Sequence, residues 1–371
     1  MQRFDAGGLV LTVSFSGSSA EGAQEAQVSL AAKVRFMSDG SAYGETGKTV
    51  DVVETHMSFV FLVGDRVYKF KKPVELPFLN LATLASRKAN CLAESTLNRR
   101  LAPDVYLGVT PLTRLPGGGL KIGGEGEAVE WLVVMRRLPE ELMLDHLLAS
   151  GPLEDGKTER LAARLAVFFR GATRGEIAGA AYFERLRSEQ ADNRAILTRR
   201  RFAVDHGRVP IVLDRMDAAL SSARALLESR AEARHLVDGH GDLRPEHICF
   251  NDGIDIFDCL EFSAGLRLAD PVEEIAYLGL ECELLGAPSL GPDLFARIMR
   301  DMGEAPPFRL FHLHYARKGL LRMRLSLAHL LDPAPRQPAK WEPLAARYMA
   351  LAERGLDRLD AAVSPPQPER G

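Results

Sequence analysis

The sequence predicts an α+β chain in two lobes: a small β-rich lobe with one helix, then a larger, mainly helical lobe that contains a short hairpin. Three observations carry this reading. Between Thr49 and Met135 apolar residues fall in short alternating or continuous runs separated by turn residues, with one helical stretch among them. From Pro139 onward apolar residues recur mostly at helical spacing. That helical texture breaks once, where Ile248-Cys249-Phe250 and Ile254 to Phe257 flank Asn251-Asp252-Gly253, the signature of a tight hairpin.

The elements follow in order. Residues 1–45 are rich in Gly, Ser, Ala and Gln and read as an N-terminal extension, largely flexible, in which Ser29 to Met37 forms a short helix packed on the first lobe. Residues 46–138 form the first lobe. Val50 to Glu54, Phe59 to Val63 and Arg66 to Lys72 are strands, with Gly64-Asp65 turning between the last two. Thr83 caps a helix from Leu84 to Arg100, and Pro103 stops it. Two strands follow, Val105 to Leu112 and Ala128 to Met135, with a Gly-rich turn at residues 117–119 between them. Residues 139–363 form the second lobe, with helices expected at 142–150, 156–174, 180–200, 212–234, 271–285, 291–302, 307–331 and 338–361. Residues 364–371 read as a flexible tail.

Composition narrows the function classes. A chain of 371 residues is long enough for two lobes with a real core. Its formal net charge of −3 gives no polyanion-binding character, so nucleic acid is not an expected partner. The four cysteines, Cys91, Cys249, Cys259 and Cys282, form no C-x-x-C pair and fit reduced thiols in a cytoplasmic protein. No apolar run approaches the ~20 residues of a membrane-spanning helix. The apolar stretch Leu9 to Phe15 is short and interrupted, and Asp5 precedes it in place of a basic region, so no signal peptide is expected.

Residues 240–248 read HGDLRPEHI, directly ahead of the hairpin. The loop holds Asp242, and the second hairpin strand ends in Asp258. Phosphoryl transfer uses such a pair, one carboxylate for the attacking hydroxyl and one for Mg²⁺ on the nucleotide. The stretch is similar to the HRDLKPEN loop of protein kinases and the HGDLHxxN loop of small-molecule kinases. With Glu54-Thr55-His56-Met57-Ser58 and the VYKFKKP run at 67–73, the chain resembles the aminoglycoside phosphotransferase family of the protein-kinase-like superfamily, over roughly residues 45–330. More narrowly, it looks like a bacterial branch with the signatures ETHxS, VYKxKKP and HGDLRPEHI. The resemblance implies a bilobal protein-kinase-like fold, with residues 136–139 in the place of the hinge.

Roles follow residue by residue. Asp242 is the expected catalytic base or hydroxyl-orienting residue, against the bland reading of a turn-capping carboxylate. Gly241 permits close backbone approach, and His240 braces the loop. Arg244 stands where HRDLKPEN has Lys and is placed to stabilise charge on the moving phosphoryl group. His247 stands where kinases carry a metal-binding Asn. It either binds metal, for which imidazole favours Mn²⁺ over Mg²⁺, or braces Asp242. Asp258 takes the DFG-Asp place as metal ligand, followed by Cys259-Leu260-Glu261. Asp255 is its rival but falls mid-strand, and Glu261 is a further ligand or an ion-pair partner of an Arg. Asp270-Pro271 opens the next helix, with Asp270 and Glu274 structural.

In the first lobe Lys69 and Lys71 share one strand face, and one of them reaches the α/β-phosphates, Lys69 first and Lys71 in reserve. Lysines on an edge strand are often only solvated charge. Glu94 decides otherwise, because it lies in a helical stripe with Cys91, Leu97 and Leu101 and so requires a cationic partner. No Gly-rich phosphate loop is present. Thr55 and Ser58, with the backbone between the first two strands, are the substitute. A zinc site from His240, His247, Cys249 and Cys259 fits no standard spacing. The basic stretch 307–331 reads as a packed helix with one wet face that can line an anionic pocket.

The expected function is transfer of the γ-phosphoryl group of ATP, with Mg²⁺ or Mn²⁺, to a hydroxyl of an unidentified small molecule or protein. The alternatives are a catalytically inactive nucleotide-binding scaffold and an AMP transferase on the same fold. The acceptor is not legible, because motif and fold carry the reaction and not the substrate.

Overall fold

The computed structural model describes residues 28–44, 49–76, 79–333 and 335–363. The flexible extension expected for residues 1–27 and the tail at 364–371 lie outside the described residues. The chain divides into two compact units. One comprises the residues up to Met143 together with Ile248–Ser263, and the other Leu144–His247 and the residues from Ala264 onward.

The first unit is built on one antiparallel sheet. Its strands are β1 (Asp51–Glu54), β2 (Ser58–Val63), β3 (Arg66–Lys71), β6 (Tyr106–Arg114), β7 (Leu120–Ile122) and β8 (Glu127–Arg136), in the order β1-β2-β3-β8-β6-β7. A small ribbon, β4 (Glu75–Leu76) and β5 (Leu79–Asn80), stands apart. Helix α1 (Leu30–Met37) and helix α2 (Leu84–Asn98) complete the sheet's surroundings. Two strands were expected after α2 and three are present, because the chain turns at 115–119 and β7 pairs back on β6. β3 is not an edge strand. It pairs with β2 on one side and β8 on the other, so its lysines have little access to water.

Alternation along β3 sorts its side chains between two cores. Phe70 faces a cluster with Phe61, Leu112, Leu132 and Met37 of α1. Val67 faces a second cluster with Val60, Val133, Cys91 of α2 and Phe257. Each large apolar side chain buried this way contributes ~1.5–3 kcal/mol. The expected α1 forms, with Ser29 as N-cap accepting from Ala32 N. It docks through a buried ion group in which Glu130 pairs with Lys33 at 2.9 Å and with Arg87 of α2 at 2.8 Å. α2 begins as expected at Thr83, whose hydroxyl accepts from Ser86 N at 3.0 Å.

The hairpin β10 (Ile248–Cys249) and β11 (Asp255–Ile256) belongs to this first unit. An Asx turn closes it, Gly253 N donating to Asn251 Oδ1 at 3.1 Å. Its backbone is tied to the sheet unit by a bridge between Cys249 and Met143 and by Phe250 N donating to Leu142 O at 2.8 Å.

The second unit is helical: α3 (Leu144–Ser150), α4 (Asp155–Gly171), α5 (Gly179–Leu197), α6 (Arg208–Glu232), α7 (Ala264–Arg267), α8 (Pro271–Leu284), α9 (Leu290–Met302), α10 (Phe308–Ala328) and α11 (Pro338–Val363), with a short ribbon of β9 (Val237–Asp238) and β12 (Leu268–Ala269). Asp270 caps α8 by accepting from Val272 N, with Pro271 as its first residue. α8 and α9 cross where Gly279 meets Gly291, and a Cβ on Gly279 would stand 2.8 Å from the Gly291 Cα. The wet face expected of α10 is absent. His312, His314, Arg317, Arg322 and Arg324 are all buried. Arg317, Arg322 and Arg324 pair with Glu189, Glu281 and Asp192 contributed by α5 and α8. Among the described residues no helix is long and apolar enough to cross a membrane.

The architecture is the α+β one expected, a small unit of strands with helices α1 and α2 and a larger helical unit.

Candidate active site

The two units each carry a cluster of the residues singled out in the sequence. In the first unit the cluster is built on β3, where residues two apart share a face. Lys69 and Lys71 both reach Glu94 of α2, one to each carboxylate oxygen, at 2.8 Å and 2.5 Å. Lys69 also pairs with Asp258 at 2.9 Å and Lys71 with Glu261 at 2.6 Å. The partner of Glu261 is thus a lysine and not the arginine expected for it. Glu94 is fully buried and its carboxyl is lowered. Burial alone would raise it, but Lys69 and Lys71 outweigh that. Burial opposes the charge on both lysines too, and their carboxylate partners reverse it, so both are raised. The charged forms of Glu94, Lys69 and Lys71 are thus the favoured ones.

Asp258 is held in an uncommon conformation. Its φ is +60°, a left-handed value that Asp tolerates better than most residues. Asp258 N donates to Tyr106 Oη at 3.3 Å, and Cys259 N donates to Asn98 Oδ1 at 2.8 Å. Asn98 Nδ2 in turn donates to Glu94 O at 2.9 Å. One helix therefore fixes both Glu94 and the backbone beside Asp258. The sequence reading passed over both: the only signal for Asn98 is its place one turn beyond Glu94 on the same face, and Tyr106 carries no local signal.

Thr55 and Ser58 lie at the turn from β1 to β2. Ser58 N donates to Thr55 Oγ1 at 2.9 Å, and Thr55 N donates to Ser58 O at 2.9 Å. The Thr55 hydroxyl closes its own turn, and Ser58 is buried. Lys72 ties the turn down, donating to Thr55 O at 2.6 Å and pairing with Glu54.

In the second unit Glu274 of α8 clamps the HGD loop from beneath. His240 N and Gly241 N donate to its two carboxylate oxygens at 3.1 Å and 2.5 Å. Gly241 has φ +83°, and a Cβ on Gly239 would stand 2.6 Å from Glu274 Oε1. The structural reading of Glu274 and Asp270 fits this placement. Asp242 has each oxygen engaged. Tyr277 Oη donates to Oδ1 at 3.0 Å, and Arg244 Nε stands 3.3 Å from Oδ2. Burial would raise the Asp242 carboxyl, but Arg244 foremost, with His247 and Arg322, brings it below its ordinary value. Arg244 is itself buried and pairs with Glu246 at 2.9 Å. His247 Nδ1 lies 2.8 Å from Asp242 O, and its Nε2 faces Arg244 at 3.5 Å. Tyr277 was passed over in the sequence. Its only signal is spacing, three residues after Glu274 on the face that meets the loop.

Glu274 gives a pH prediction. Burial pushes its carboxyl from 4.5 up to about 7, and the two N–H donors and Lys318 offset only part of that. Between those values the folded chain keeps a proton that the unfolded chain has released, so stability should fall as pH rises from about 4.5 to about 7. Urea midpoints across that window should show the decline. Glu274→Gln should flatten it, and an unchanged slope would place its origin elsewhere.

Among the described residues no three His, Cys, Asp or Glu side chains converge on a preformed metal cage. Mg²⁺ does not require one, since it commonly takes one or two carboxylates and completes its shell with water and phosphate oxygens. Asp258 suits that kind of binding.

No family model matches the chain. Uncharacterized proteins of Mycobacterium bovis and Mycobacterium tuberculosis are each 30% identical to it over 316 residues, 83% of this chain and 60% of theirs. The chain thus spans 60% of the length of these curated relatives. Among solved structures, a choline/ethanolamine kinase family protein from Mesorhizobium loti is 18% identical, covering 91% of this chain and 95% of its own, with a TM-score of 0.49. A glucosamine kinase in complex with glucosamine, ADP and inorganic phosphate is 14% identical over 90% and 87% of the two chains, TM-score 0.48. An aminoglycoside phosphotransferase from Streptomyces rimosus, bound to ADP and streptomycin, is 17% identical over 70% and 90%, TM-score 0.39.

Proposed function

We propose that the protein transfers the γ-phosphoryl group of ATP to a hydroxyl group of a small molecule or protein, with a divalent cation, Mg²⁺ or Mn²⁺. The observation that carries this is the set Lys69, Glu94 and Asp258, a strand lysine that meets both a helix glutamate and the aspartate after the hairpin. Phosphoryl-transfer catalysis is mostly positioning and charge stabilisation, and that set supplies both for a nucleotide. In this reading Lys69 contacts the α/β-phosphates. Asp258 holds Mg²⁺, which when bound offsets the phosphate charge. The turn at Thr55 to Ser58 covers the phosphates through its backbone.

On the acceptor side Asp242 orients the attacking hydroxyl and takes up its proton. Tyr277 and Arg244 fix the Asp242 carboxylate from either oxygen. Arg244 stabilises charge as it develops on the transferred group. The name-bearing acceptors of the kinases above belong to those proteins, and the acceptor here stays a hydroxyl compound of unassigned class.

The deciding experiment incubates the protein with Mg·ATP and a panel of hydroxyl metabolites and proteins, and identifies the nucleotide product. ADP with a phosphorylated acceptor is the expected result. AMP would make the chain an AMP transferase. Nucleotide binding with no turnover against any acceptor would make it a scaffold.

His247 acts as a brace in this reading. Its Nδ1–H donates to the Asp242 carbonyl, and its other nitrogen faces a cation, which leaves a metal no clear approach. His247→Asn should therefore keep the ratio of Mg²⁺- to Mn²⁺-supported activity within about twofold. A marked shift toward Mg²⁺ would instead make the imidazole a metal ligand.

A further inference from the structure

We propose that Lys71 and Glu261 are positioning residues that hold Glu94 neutralised while Lys69 engages the nucleotide. The inference rests on the nucleotide-binding reading above and adds two residues to it. A single lysine–glutamate pair meets the ordinary requirement of such a site. Here Glu94 has two lysines, and each lysine has a second carboxylate of its own.

The two lysines are not equivalent. The Lys71 side chain is 2% exposed and lies between Glu94 and Glu261, whereas that of Lys69 is 14% exposed. Lys69 is the one that can extend to a ligand. If it were the only partner of Glu94, its departure would leave a fully buried carboxylate without a counter-charge, which is strongly unfavourable. Lys71 removes that cost by staying on the other oxygen. Cys91, the nearby thiol, is pushed up to about 12 by burial and so adds no charge. Glu261 keeps Lys71 in place and at the same time fastens the segment after Asp258 to β3. A loop of sequence Asp-Cys-Leu-Glu thereby obtains its anchor from an ion pair, with its fourth residue as the acidic member.

The test measures Mg·ATP binding by isothermal titration calorimetry, with melting temperature recorded alongside. Lys71→Met alone leaves Glu261 buried without its cation and can fail to fold, so the informative variant is Lys71→Met with Glu261→Gln, which removes both charges. It should fold and bind Mg·ATP about tenfold more weakly, the scale of coupling within one charge network. Adding Glu94→Gln should recover part of that loss, because the fully buried Glu94 charge then no longer retains Lys69, which keeps only the more accessible Asp258. Wild-type affinity in the double variant, or no recovery in the triple, overturns the proposal and leaves the pair a structural tie. A wild-type protein that binds no Mg·ATP overturns the nucleotide reading itself, and the proposal with it.

Discussion

Asp242→Asn should lower phosphoryl transfer by roughly 10²–10⁴-fold, the range of a positioned acid–base group, while Mg·ATP affinity stays near wild type. The change is nearly isosteric, so the loop should keep its form. Glu274 still holds His240 N and Gly241 N, and His247 still bonds the residue 242 carbonyl. What is lost is the anion. The wild-type carboxylate is held below its ordinary range against the effect of burial, chiefly by Arg244, so it is ionised and able to take a proton at neutral pH. An amide oxygen accepts a hydrogen bond but takes no proton. Initial rates of product formation at saturating Mg·ATP, with circular dichroism as the folding control, make the measurement. Turnover at the wild-type rate would remove Asp242 from the chemistry and with it the kinase reading of the loop.

Legibility in the sequence followed the range of the interaction. Thr83, Asp270-Pro271 and the Gly64 turn act over two to four residues, and each was readable because capping and turn chemistry are local. Glu94 was readable from its stripe, since a carboxylate among apolar residues requires a cation. That both Lys69 and Lys71 answer it depends on β3 lying inside the sheet, and the strand order was not legible. The same holds for Glu261. Its lysine lies 190 residues away, and a sequence offers no spacing rule at that range. Tyr277 and Arg322 reach the neighbourhood of Asp242 from α8 and α10, and the charges of α10 read as solvated until the helices are packed. The wet face assigned to α10 failed for this reason. Its buried arginines find carboxylates on α5 and α8.

Lys69→Met should lower kcat/KM for ATP by about 10²–10³-fold, the loss of one well-placed electrostatic contact to a charge that develops in a water-poor site. The fold should survive, because Lys71 remains on Glu94 and Glu261 remains on Lys71, so the buried carboxylate keeps a cation. Asp258 is the group left exposed to the change. Its side chain is 16% exposed, and without Lys69 it keeps its own backbone anchor at Tyr106 and that of Cys259 at Asn98 but loses its ammonium partner. A bound cation can replace that partner, so raising Mg²⁺ should recover a share of the lost activity in Lys69→Met and none in Asp242→Asn. Lys71→Met with Glu261→Gln should fall between wild type and Lys69→Met, since it hinders Lys69 without deleting it. Steady-state kinetics with ATP and Mg²⁺ varied in turn separates these outcomes. If Lys69→Met keeps full kcat/KM while the Lys71 variant loses it, the lysine that meets phosphate is Lys71, and the order of the two along β3 is the reverse of the one their burial indicates.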